Sequence, residues 1–233
     1  MENRPANKQL LDQSYEELVG QSLVCGLIGK ILYLYPEQEF LQSLLEENVF
    51  EEIPYAAGRP ETTQGLKLLA QWAEQTGEKL SKDDFDDLQV DYCRLFVGPG
   101  KLLAPPWESV HRDITHLTFQ KDTVEVRKWY ARYGLQFEKL HKEPDDHIGL
   151  ELAFIATLAG RAAEALSSGE VDRYQELVKS KDRFIDEHLL QWAPKWAEMA
   201  LAGARSGFYQ GVIKLAQGVF AEFHSVLDEE TEA

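Results

Sequence analysis

Ser81-Lys-Asp-Asp-Phe-Asp-Asp-Leu-Gln-Val-Asp-Tyr-Cys-Arg-Leu-Phe-Val-Gly98-Pro99 is the stretch that decides the fold class. Ser81 is a residue type that caps helices, and Asp84 stands three residues on, beside the unpaired N–H groups of a first turn. Phe85, Leu88, Tyr92, Leu95 and Phe96 then recur at helical spacing. Gly98-Pro99 ends the run, because glycine suits the left-handed cap and proline cannot continue a helix. One amphipathic helix with a legible start and stop is predicted here.

The same grammar extends in both directions. Prolines at positions 5, 36, 54, 60, 99, 105, 106, 144 and 194 cut the chain into long proline-free segments with helical periodicity. Upstream, Ser14-x-x-Glu17 reads as a capping box that opens a helix to about Tyr35, where Pro36 stops it. A short helix is predicted from Glu37 to Glu46, a Pro- and Gly-rich loop over 51–60, and a helix from Thr62 to about Gln75. Downstream, Asp122-x-x-Glu125 opens a helix closed by Gly134, and a polar connection runs to Pro144. Asp145 or Asp146 then begins a Leu- and Ala-rich helix to about Leu166, with its carboxylates at the positive end of the helix dipole. Glu170 to His188, Trp192 to Ala204, and a last run carrying Phe208, Val212, Leu215, Val219 and Phe223 follow. The acidic tail from Asp228 is predicted to fray.

No segment alternates as a strand would. The fold class is therefore all-α, a bundle-like arrangement of about ten helices. A single domain over 1–233 is expected, with an N-terminal part to about 134, a hinge at about 135–145 and a C-terminal part from about 146. The 98–107 loop is a second candidate hinge.

The formal charge of −16 argues against a nucleic-acid partner, since such a chain repels phosphate backbones. The same field draws in cationic partners. Cys25 and Cys93 each sit in an apolar helical run, which suits buried free thiols in a reducing cytoplasm. The polar N-terminus lacks a signal-peptide core, and the longest apolar stretch, Leu23 to Tyr35, is too short to span a bilayer.

Two stretches carry candidate chemistry. In Gly98 to Ser109, Pro105 and Pro106 stiffen the loop, so little entropy is lost on binding, and Trp107 is a large amphipathic surface. The plain alternative is a packed connection with Trp107 as a core plug. In Glu143-Pro144-Asp145-Asp146-His147, carboxylates adjoin an imidazole, an arrangement suited to a guanidinium; helix-start chemistry is the plain alternative. His147 and Glu151 lie four apart on one helix face, so a metal-dependent hydrolase using His147, Glu151, Asp146 and His111 is the alternative function. Against it, the chain has no His-Glu-x-x-His run, no cysteine pair at zinc spacing, no Gly-x-Ser-x-Gly and no phosphate-binding Gly loop. The reading includes no catalytic turnover, no metal and no cofactor.

Taken together, the two stretches resemble a known family. Arg94-Leu95-Phe96-Val97-Gly98-Pro99 followed by Pro105-Pro106-Trp107-Glu108-Ser109-Val110 looks like the N-terminal half-motif of the TorD/DmsD family. Glu143-Pro144-Asp145-Asp146-His147-Ile148-Gly149 looks like its Glu-Pro-x-Asp-His element. The resemblance implies a cytoplasmic chaperone with no enzymatic activity. Such a protein binds the twin-arginine signal peptide of a molybdoenzyme precursor until cofactor insertion is complete, and some members form domain-swapped dimers. Guanine-nucleotide binding has been suggested for members, and this sequence offers no motif for it. By position, the resemblance makes Tyr92, Leu95, Phe96, Pro99, Pro106, Trp107, Glu108, Ser109, Glu143, Asp146 and His147 the peptide-binding candidates. Leu95, Phe96 and Trp107 would meet the peptide's apolar segment; Asp146, with Glu143 and Glu108, would meet its arginines. Gly100 and His111 depart from the pattern, since some members carry an aromatic at each place, and both bear on which peptide fits.

Overall fold

The computed structural model describes residues 4–114, 116–136 and 143–232. These form ten α-helices: α1 (Arg4–Tyr33), α2 (Gln38–Glu46), α3 (Pro60–Thr76), α4 (Lys82–Tyr92), α5 (Glu108–Arg112), α6 (Lys121–Arg132), α7 (Ile148–Ser167), α8 (Val171–Glu187), α9 (Ala193–Gly203) and α10 (Gly207–Glu232). A π-helical segment, Cys93–Val97, continues α4, and a 3₁₀ turn, Leu189–Gln191, precedes α9. The all-α expectation holds among the described residues. Of the connection expected to act as a hinge, 137–142 lie outside them.

α7 organises the core. It is apolar on nearly every side, and such a helix must be buried. Ile148, Leu152, Phe154, Ile155, Leu158 and Ala159 are all inaccessible to solvent. It packs along α1 and α8, while α10 packs along α3 and α9. Both long pairings cross at glycines. A Cβ on Gly149 would lie 2.6 Å from the Gly29 carbonyl oxygen, and one on Gly65 would lie 2.8 Å from that of Gly211. Backbones approach that closely only where no side chain intervenes.

Four local expectations change. α1 begins ten residues before Ser14, because the residues upstream continue a helix readily, so Ser14 lies inside it rather than at its cap. α7 is capped by His147, whose Nδ1 accepts from the Gly149 N–H at 3.1 Å, and not by Asp145 or Asp146. α10 runs to Glu232, past the point where the acidic tail predicts fraying. Cys25 is fully buried as expected, but Cys93 is only half-buried. Ser81 does cap α4, its hydroxyl accepting from the Asp84 N–H at 3.1 Å.

Candidate functional site

The π-helical segment sets the geometry of the loop that follows it. Its ring closes with Gly98 N–H donating to the Cys93 carbonyl at 2.7 Å. The wider winding leaves the Arg94 and Leu95 carbonyls to accept from Leu103 N–H (3.4 Å) and Ala104 N–H (3.0 Å). The stiff loop is thereby laid back onto the helix end, and π segments of this kind recur at functional sites.

From there the chain passes through Pro105 and Pro106 and pairs with the second motif. Trp107 and His147 form an isolated antiparallel bridge. Glu108 N–H donates to the Asp146 carbonyl at 2.9 Å, and Ile148 N–H donates to the Pro106 carbonyl at 2.8 Å. The Trp107 indole N–H reaches Glu143 Oε1 at 3.1 Å. The His147 ring meets Trp107 and Tyr33 edge-on, at centroid distances of 6.1 and 5.2 Å. Two segments forty residues apart in sequence thus make one joint, as their paired reading requires.

Asp146 is the pin of this joint. It is fully buried. One carboxylate oxygen accepts from Ser109 N–H at 2.7 Å and the other from the Thr123 hydroxyl at 2.8 Å. Asp145, also buried, pairs with Arg127 (Nε to Oδ2, 2.7 Å), and its carbonyl accepts from the Tyr130 hydroxyl at 3.0 Å. Helix α6 therefore grips both aspartates. Glu108 is buried as well, and its carboxylate accepts from Arg112 and from His188 Nδ1, at 3.0 Å for Oε2. The polar partners of Asp146 and Glu108 come from inside the protein.

The remaining candidates divide by face. Tyr92, Leu95 and Phe96 point into the core: the Tyr92 hydroxyl donates to the Tyr33 carbonyl at 3.1 Å, and Phe96 stacks on Trp196 at 6.0 Å. Pro106 and Ser109 are buried, and the Ser109 hydroxyl has no partner among the described atoms. Pro99 is exposed, and Trp107 and Glu143 are half-buried. His111 lies flat on Trp192 at 5.1 Å, and its Nε2 meets the Pro105 carbonyl at 2.7 Å. Burial holds that imidazole below its ordinary value.

Glu151 is the least satisfied group here. Its Oε2 accepts from the Trp192 indole at 3.2 Å, while its Oε1 has no partner among the described atoms. Burial, with Glu108 and Asp146 close by, pushes its carboxyl well above the usual carboxylate range. Burial in this carboxylate-rich setting therefore favours the protonated form of Glu151.

Three contributors were not singled out from sequence. Thr123 and Arg127 sit in an ordinary amphipathic helix, where nothing local marks them. Asp91 is one acidic residue among several in α4, yet it is buried and accepts from Arg205 N–H and Ser206 N–H at 2.9 and 2.8 Å, fixing the start of α10.

Comparison with known proteins bears on this arrangement. A family model described as "Nitrate reductase delta subunit" matches residues 57–198, which include both motifs and most of the helices that hold them. The chain belongs to this family. It is 27% identical over 206 residues to the Tat proofreading chaperone DmsD of Salmonella typhi, covering 88% of this chain and 90% of that protein. It is 31% identical over 129 residues to the chaperone protein TorD of Aliivibrio fischeri, covering 55% of this chain and 59% of that one. A TorD of Vibrio parahaemolyticus is 34% identical over 131 residues, again 55% and 59%. The chain thus spans about three fifths of these two TorD proteins and nine tenths of DmsD. The TorD/DmsD resemblance holds, and with it a place among the chaperones of molybdoenzyme maturation.

The hydrolase alternative is not supported. Glu151 is turned to Trp192, His111 to the Pro105 carbonyl, and His147 Nδ1 to a backbone N–H. Among the described residues no group of three or more His, Cys, Asp or Glu side chains could hold a metal ion. No helix among them is long and apolar enough to cross a membrane.

Proposed function

We propose that this protein binds the twin-arginine signal peptide of a molybdoenzyme precursor in the cytoplasm and holds the precursor until its cofactor is in place. The observation that carries the reading is the match to a Tat proofreading chaperone over 88% of the chain, in a molecule whose two motifs meet at one joint. The acidic character of the chain supports an arginine-bearing ligand. Trp107, Glu143 and Pro99 are the proposed contacts from the motif stretches, because they reach the surface. Tyr92, Leu95, Phe96, Pro106, Glu108, Ser109, Asp146 and His147 act by holding those contacts in place. The whole chain works as one domain, with the connection before α7 as its hinge.

Titration calorimetry of the full chain with a client signal peptide tests this. Wild type binds, and Trp107→Ala weakens binding by about tenfold or more, as loss of an aromatic anchor does. Equal binding by both proteins would remove Trp107 from the site, and no binding by wild type would remove the signal-peptide reading. Exchange of the part after the hinge between two copies would build a homodimer with the same joint. Light scattering of a concentration series reads that directly.

A further inference from the structure

An open groove of about 730 Å³ runs along the outer face of α4 and the π-helical segment, opposite the face that carries Tyr92, Leu95 and Phe96. Tyr35, Val90, Cys93, Pro99 and Leu103 supply its apolar lining. Tyr35, Val90 and Leu103 are 48%, 56% and 41% exposed, and apolar groups gathered in one concavity are unlike the single exposed residues any surface carries. The groove is also polarised. Asp86 lines it one turn before Val90, with Asp83 and Asp87 exposed alongside. Lys101 and Arg94 stand at the other end, and Arg94 is committed to Asp91 at 2.8 Å.

We propose that this groove receives an apolar peptide segment headed by arginines, with the arginines at Asp86 and Asp83 and the apolar residues on Val90, Tyr35 and Leu103. The proposal rests on the signal-peptide reading and moves the main contact from the motif face to the outer face of the same helix. Charge favours the outer face over the buried carboxylates of the joint. An arginine that entered at Asp146 or Glu108 would have to displace buried partners from a dry interior, which is costly. At Asp86 it replaces only Lys82, an exposed pair of the kind that holds weakly. Asp86 to Gly98 spans about 18 Å of helix, room for five or so residues of extended chain.

Cys93 makes the groove directly readable. Cys25 is fully buried, with its thiol pushed up to about 12, so alkylation of the native protein reports Cys93. The probe is a synthetic peptide with two adjacent arginines followed by a Leu- and Ala-rich stretch, titrated into the full chain. Saturating peptide is expected to slow Cys93 alkylation, read by intact mass, about tenfold or more. Val90→Arg and Asp86→Lys are expected to raise Kd by about tenfold or more. Val171→Arg, an exposed apolar position on α8 outside the groove, leaves Kd unchanged. Wild-type binding without protection of Cys93, and with Kd unmoved in Val90→Arg, overturns the groove and leaves the chaperone reading standing. Absence of any wild-type binding overturns both.

Discussion

The joint between Trp107 and His147 and the groove along the outer face of α4 adjoin one another in the chain, and they are built on opposite terms. At the joint, carboxylates are buried and committed: Asp146 to Ser109 N–H and the Thr123 hydroxyl, Asp145 to Arg127, Glu108 to Arg112 and His188. Along the groove, Asp83 and Asp87 are exposed, and apolar groups face water. Asp146 and Asp86 are the same residue type with different work. A buried, doubly bonded carboxylate is expensive to move, so it fixes geometry. A solvated one exchanges partners cheaply, so it can receive a ligand. Most of the motif residues build a rigid frame, and the proposed peptide contacts are the groups that reach the surface on and beside it.

If that contrast is right, the frame breaks hardest where backbones touch. In Gly149→Val the new side chain starts 2.6 Å from the Gly29 carbonyl oxygen and 2.7 Å from Tyr33 Cβ, with no flexible tip to give way. Overpacking of this kind is expected to cost about 3 kcal/mol. It should also disturb His147, whose ring Nδ1 caps α7 by accepting from the Gly149 N–H. Denaturant unfolding measures the loss, and a near-neutral result would mean that the α1–α7 crossing is not rigid. Asp146→Ala is expected to cost about 2 kcal/mol, because it strands the Ser109 N–H and the Thr123 hydroxyl in the interior. Asp146→Asn keeps one acceptor and should recover part of that.

The helices were legible because proline and glycine punctuate this chain and because Ser81 caps in the ordinary way. The joint was legible only as two motifs whose order and separation matched a family. Its internal wiring was not, for reasons that lie in three dimensions. Asp145 and Asp146 look like helix-start carboxylates, but Thr123, Arg127 and the Ser109 N–H draw them away, and His147 takes the cap. Gly29 and Gly149 are each unremarkable until the two helices are crossed. The five residues of α5 are too few to show a period, and the π-helical turn at Cys93–Val97 has the same apolar spacing as the α-helix it continues. Leu95 and Phe96 sat on a correctly predicted stripe, and the stripe faces the core.

Glu151 sharpens the contrast through pH. Its carboxyl is held well above the usual range by burial and by Glu108 and Asp146, while the Trp192 indole and Arg112 pull the other way. The folded state therefore keeps a proton that the unfolded chain releases near pH ~4.3. Between that pH and the folded value the native state binds more protons, so stability falls as pH rises. Glu151→Gln removes that slope. Unfolding free energies of wild type and variant across pH 5 to 8 should diverge in the variant's favour as pH increases. Parallel curves would mean that Glu151 is ionised in the fold and that the joint holds one more charge than its partners balance.

The smallest effect is expected in the groove, and its smallness is informative. Val90 is 56% exposed and contributes little to the core, so Val90→Arg should change unfolding free energy by no more than about 0.5 kcal/mol. Asp86→Lys gives up only an exposed pair with Lys82 and should be equally mild. Frame and groove then separate cleanly by measurement: substitutions in the frame move stability and carry binding with it, whereas substitutions in the groove move binding alone. A Val90→Arg protein that unfolds as easily as Asp146→Ala would show that the outer face of α4 is part of the frame. The apolar groups there would then be serving the fold, with no surface held ready for a ligand.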